Sequence, residues 1–129
     1  MSSNQNIVRT FIAAGAITEF AIVSVNSDGK VVVTTAGTDV AAVGVAQRAC
    51  STGDPVDVVI SGLTRVICAA SNITAFEATP RLAAAAAGTA AVAAVGDYPN
   101  MFVQMNINQT AASSGDQITV LWSFASAVL

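Results

Sequence analysis

Gln47-Arg-Ala-Cys-Ser-Thr-Gly-Asp-Pro-Val-Asp-Val-Val-Ile60 and Gln109-Thr-Ala-Ala-Ser-Ser-Gly-Asp-Gln-Ile-Thr-Val-Leu-Trp122 are one pattern written twice. Each copy opens on a short polar segment ending in Gly-Asp. Glycine there accepts positive φ and aspartate bonds nearby backbone amides, so both segments read as turns. A β-branched run follows in the same register, with Val56, Val58, Val59 and Ile60 matching Ile118, Val120, Leu121 and Trp122. Ile118, Val120, Trp122 and Phe124 alternate with Thr119, Leu121 and Ser123, the period of a strand with one heavier face. Proline at the head of the first run, Pro55, sacrifices no central ladder bond.

Two further blocks recur in the same order. Ile17-Thr-Glu-Phe20 returns as Ile73-Thr-Ala-Phe76, and Ala36–Gly44 returns as Ala87–Gly96 with one residue inserted. The second copy is shorter early and carries an insertion around Asp97-Tyr-Pro-Asn-Met-Phe102. Between the blocks the chain reads as strands. Ile17–Val25 and Lys30–Thr35 flank Asn26-Ser-Asp-Gly29, and Asp-Gly is a strong hairpin signal. Val40–Ala49 is a third run and Pro55–Ser61 a fourth, with Ser61-Gly62 as a bend into Leu63–Ala69. Thr79–Gly88 carries helix signals, with Thr79 as N-cap, Pro80 after it and Gly88 as a stop. The repeat places a strand there, so the stretch is read as mostly strand with one helical turn.

These patterns predict an all-β domain, sandwich- or barrel-like, with an internal pseudo-two-fold duplication. The copies span about 17–61 and 73–124, and neither is long enough to fold alone, so they should superpose and share one core. Residues 1–14 are read as an N-terminal arm and 15–129 as the β-domain.

Composition narrows the function. Apolar residues make up 53% of the 129 and charged residues 10%, against roughly 25% charged in ordinary domains. A surface this poor in charge is best covered by another subunit, so self-association is expected. The net charge is −3, and Arg9, Lys30, Arg48, Arg65 and Arg81 are scattered along the chain, which argues against a nucleic-acid partner. The longest apolar run, Ala83–Val95, is too short and alanine-rich to span a bilayer. The polar start lacks the cationic opening of a signal peptide. A soluble protein made in the cytoplasm is expected, with no membrane partner.

Chemistry is sparse. There is no histidine, which removes the commonest general base and metal ligand. No phosphate-cradling loop and no nucleophile–base pair appears. Asp54, Asp57 and Asp116 admit a turn reading, a calcium reading and a catalytic one; Thr119 in place of a second Asp57 weakens the last two. No catalytic residue, cofactor or metal is assigned. Cys50 and Cys68 read as buried thiols or as a disulfide. Trp122 and Phe124 read as core. Tyr98 and Phe102, in the insertion, are candidates for a contact loop. Ile7, Val8, Arg9, Phe11 and Ile12 follow the polar start Met1–Asn6. They are candidates for a segment that orders against a partner or adds a strand to its edge; a frayed terminus is the plain alternative.

The "ITxF" start, the hairpin, "AAVGVAQRA" leading into "STGDPVDVVISG", and a weaker copy ending in "SSGDQITVLW" resemble tailed-phage capsid decoration (cement) proteins of the DUF2190-like type. The resemblance covers about Ile17 to Phe124. Phe76 stands where the family has glycine, and the second copy lacks a clean "GVA". The resemblance implies a β-tulip or related barrel, commonly trimeric, seated on the outer surface of a virion where major capsid protein subunits meet. It implies no catalytic residues. Other readings are a head fibre or tail component, a secreted β-module for adhesion or carbohydrate binding, and a hydrolase using Asp54, Asp57 or Asp116.

Overall fold

A computed structural model describes residues 6–36, 41–69, 73–74, 81–93, 97, 101–104, 111–112 and 115–123. Its strands are β1 (Ile7–Ile12), β2 (Ile22–Val25), β3 (Val31–Val33), β4 (Ala42–Ala46), β5 (Pro55–Ile67), β6 (Ile73–Thr74), β7 (Arg81–Ala84), β8 (Ala90–Val92), β9 (Met101–Gln104), β10 (Ala111–Ala112) and β11 (Gln117–Trp122). The fold is all-β, as the alternation predicts. One nine-stranded sheet runs β3-β2-β4-β5-β11-β9-β7-β8, with β1 also paired to β5; β10 and β6 form a separate pair. Every ladder between these strands is antiparallel.

The order reads the same outward from the middle of the sheet on both sides. From β5 it passes to β4, β2 and β3; from β11 it passes to β9, β7 and β8. Each side also curls back on itself. Ala13, just after β1, bridges Val31 in parallel, and Cys68, just after β5, bridges Ala90 in parallel. The Ala14 N–H donates to Val31 and the Ala69 N–H to Ala90, each at 2.8 Å. So β1-β5-β4-β2-β3 returns to β1, and the later half of β5 with β11-β9-β7-β8 returns to β5. Five strands cannot alternate direction all the way round a ring, and each parallel bridge is the one junction where they do not.

The Gly-Asp turns do matching work in the two rings. Gly53 and Gly115 both sit at φ +90°, a conformation glycine adopts without steric cost. The Gly53 N–H donates to Ala13 and the Ala13 N–H to Asp54; the Gly115 N–H donates to Cys68 and the Cys68 N–H to Asp116. The Asp54 carboxylate accepts the Ser51 N–H at 3.1 Å, which is the turn chemistry the sequence implied. In the other hairpin the Asn26 side chain accepts the N–H groups of Asp28 and Lys30.

Two apolar clusters fill the structure rather than the single shared core expected. One joins Ala13, Ile17, Ala21, Val23, Val31, Ala46, Val56 and Val58. The other gathers Val66, Cys68, Leu82, Met101, Ile118, Val120 and Trp122, with Ile22, Ala42 and Val45 reaching into it from the first half. Trp122 is fully buried, as its strand pattern predicted; Phe124 lies outside the described residues.

Several boundaries differ from the sequence reading. Ile17–Val25 is not one strand: Ile17 makes a bridge to Cys50, the chain turns at Thr18–Phe20, and β2 begins at Ile22. Ser61-Gly62 is not a turn, because β5 runs straight through it. The Asn6 side chain accepts the Leu63 N–H at 2.9 Å and donates to the Leu63 carbonyl at 2.7 Å, so the strand keeps a partner past the glycine. The Thr79–Gly88 stretch, by contrast, agrees with its reading over the described residues: Arg81–Ala84 is strand and Ala86–Gly88 a single 3-10 turn. By sheet position β7 stands where β2 does, and β9, not the alanine-rich 87–96 stretch, stands where β4 does. Alanine-rich text matched elements that occupy different places.

Gly44 is a close-approach site: a Cβ there would collide with the Val59 carbonyl across the β4–β5 ladder. Gly44→Ala should therefore destabilise the fold by about 1–3 kcal/mol, measured by denaturant unfolding followed through the fluorescence of Trp122, the single tryptophan. An unchanged midpoint would show that the two strands separate without cost.

Candidate partner-binding surface

β1 departs from the other strands. Its six residues include none that is buried, and only Phe11 is half-buried. The strand is nevertheless held along its whole length, pairing with β5 from Ile7–Ser61 to Ile12–Pro55. A register shift between Ile7 and Val8, which pair with Ser61 and Val59, leaves Ile60 as an extra residue on β5. Phe11 packs against the first cluster, and Ala13, one residue on, is buried. The segment read as an arm is thus a strand of the sheet from Ile7 onward. Met1–Gln5 lie outside the described residues.

Exposed large apolar side chains concentrate here. Ile7 is 54% exposed, Val8 48%, Ile12 41% and Leu63 46%, and no other described residue of this kind is exposed. Leu63 joins β1 through Asn6, the residue ahead of it. Sequence reasoning found Ile7, Val8 and Ile12 but missed Leu63 and Asn6. The signal lay in Leu63-Thr-Arg-Val66, where Leu63 shares a face with Arg65, and both are exposed while Thr64 and Val66 are buried.

Polar groups frame the strip. The Arg9 guanidinium lies 5.6 Å from the centre of the Phe11 ring, within cation–π range. The Thr10 hydroxyl donates to the Asp57 carboxylate at 2.7 Å, and the Arg48 guanidinium donates to the Pro55 carbonyl at 2.6 Å. The other contact candidates are elsewhere. Tyr98 lies outside the described residues. Phe102 is in β9, opposite Leu121 and Arg81, so the insertion is in part a ladder strand, with Met101 buried.

The groups examined for chemistry stay apart. Among the described residues no three His, Cys, Asp or Glu side chains gather as a metal site. Asp54 and Asp57 are exposed and engaged in a turn and in the Thr10 contact. Cys50 and Cys68 are both free thiols. Burial, with a smaller contribution from the Asp116 charge, pushes the Cys68 thiol up from its ordinary 9.0 to about 11, the opposite of an activated nucleophile.

No family model matches the chain, and no curated protein matches it; the DUF2190-like resemblance stays with the motifs that carry it. A solved structure does align: the chain is similar to the N base of the head fiber protein gp8.5 of bacteriophage phi29. The TM-score is 0.68 at 15% identity, over 95% of this chain and 98% of that one. At that identity the likeness shows a shared fold.

Two outcomes follow. Deleting residues 1–12 strips β5 of β1 and removes the Phe11 packing, so stability should drop by at least about 2 kcal/mol, read as a lower Tm; an unchanged Tm would return β1 to the status of an arm. The Cys68 thiol gives a pH signature. Between pH 9 and 11 the unfolded chain releases this proton while the folded chain keeps it. The stability it contributes is therefore whole below pH 9 and declines as pH rises through that window. Cys68→Val should flatten this part of the stability–pH curve in thermal unfolding.

Proposed function

We propose that this protein is a structural component of a tailed-phage virion, seated on the outer surface of the capsid and bound to the major capsid protein lattice. The observation that supports the reading is the whole-length likeness to a phage head-fibre base, found independently of the sequence motifs that resemble capsid decoration proteins. The two roles share one physical task. A rigid β-domain must hold to a repeating coat surface through several modest contacts, which combine into high avidity when carried on one body. A low-charge surface with an exposed apolar strand suits that task and association with further copies. No catalysis is part of this reading. Between the two roles, the base of a head fibre is favoured by the structural likeness and decoration by the motifs.

The test is composition of the particle. Virions purified on a gradient from the phage encoding this chain should contain the polypeptide in a fixed ratio to the coat protein. Antibody labelling should mark the outside of intact heads. Many copies spread over the lattice would indicate decoration, and few copies beneath projecting fibres a fibre base. Absence from purified particles, with the protein abundant in the infected cell, would overturn the proposal.

A further inference from the structure

β1 has one paired edge and one that no described strand covers up to the bridge at Ala13. Which backbone groups face outward follows from the ladder. The Gln47 N–H donates to the Asp57 carbonyl, so Asp57 turns its backbone groups toward the β4 side. Thr10, which pairs with Asp57, is therefore in a non-hydrogen-bonded pair, and its own N–H and C=O point away from β5. By alternation Val8 and Ile12 point the same way, while Arg9 and Phe11 bond to β5. The outer edge of β1 thus offers backbone groups at three alternate residues, beside side chains that are mostly apolar and exposed. Such an edge is a template for another strand.

We infer that the strand it takes is β1 of a second copy of this chain, paired antiparallel about Thr10. In that register Val8 of one copy faces Ile12 of the other, twice over. Arg9 faces the Phe11 ring of the other copy, the kind of contact it already makes with its own ring. Thr10 faces Thr10. Each is a favourable cross-strand pair, and no like charges stand opposite. Centring on Arg9 would oppose two guanidinium groups, and centring on Val8 would leave Ile12 uncovered. Centring on Phe11 would carry Arg9 and Val8 onto Ala13 and Ala14, which are already engaged with Val31, so only centring on Thr10 pairs all five residues of Val8-Arg-Thr-Phe-Ile12 with their counterparts. An isologous contact needs such self-complementarity. The contact joins the two sheets edge to edge and gives cross-strand partners to Val8 and Ile12, two of the four exposed apolar side chains.

The inference does not depend on the virion reading, and its test uses the isolated full-length chain. Sedimentation over a range of concentrations should show a reversible dimer. Val8→Lys places a charge opposite Ile12 at both ends of the contact and should weaken association about tenfold or more. Thr10→Pro removes an outward N–H without touching the β5 ladder and should do likewise. Circular dichroism of each dilute variant should remain that of the folded wild-type chain. Thr10→Cys in a Cys50→Ser background should form an intermolecular disulfide on mild oxidation, because facing residues there lie about 5.5 Å apart at Cα. A monomer at every concentration overturns the inference. So does an oligomer of any order whose association survives both Val8→Lys and Thr10→Pro, or an edge that binds coat protein while the chain alone stays monomeric.

Discussion

The structure depends on one strand that belongs to two rings. β5 is thirteen residues long. Its early half carries β1 and β4, and its later half carries β11. Every other strand of the large sheet reaches it through one of these neighbours. Continuity through Ser61-Gly62 is what joins the two halves, and glycine there is a weak point in a strand. The Asn6 side chain offsets the weakness by bonding both backbone groups of Leu63 on the side of β5 away from β11.

Closure follows from the same arrangement. An open sheet would leave β3 and β8 as edges, and an edge strand invites pairing with other chains. The parallel bridges at Ala13–Val31 and Cys68–Ala90 attach those strands back to β1 and β5. Among the described strands the outer side of β1 stays open up to Ala13, and apolar side chains are exposed along it. The surface proposed for association is an edge that ring closure leaves uncovered among the described residues. The halves are tied further by the Gly88 N–H, which donates to Thr34 at 3.0 Å, and by Ile22, Ala42 and Val45, which extend into the second cluster.

The side chains that drew attention for chemistry are engaged in other ways. Of the acidic groups that drew attention in the sequence, the Asp54 carboxylate is spent on a turn and that of Asp57 on a surface hydrogen bond. Cys68, the strongly shifted ionisable group among the described residues, is held neutral by burial. The exposed apolar strip, framed by Arg9, Arg65 and the Thr10–Asp57 pair, has no described group near it arranged for bond-making.

The amino-acid sequence by itself determined the class of the fold. Alternation in Gln117–Trp122, β-branched runs and Gly-Asp turns dictate strands through local sterics, and these were legible without a structure. The two Gly-Asp turns were legible as well, and Gly53 and Gly115 share one conformation. The tertiary structure alone decided which strands are neighbours. Alanine-rich segments such as Ala83–Ala91 fit several positions equally well, having little side-chain shape to distinguish them. It also decided that β5 passes through Gly62, because the group that sustains it, Asn6, is remote in sequence. The candidate surface was half legible. Ile7, Val8 and Ile12 stood out as apolar residues beside a polar start, but whether they were arm or strand depended on an unwritten partner. That partner was β5, and Leu63 joined the strip only because β5 brings it there.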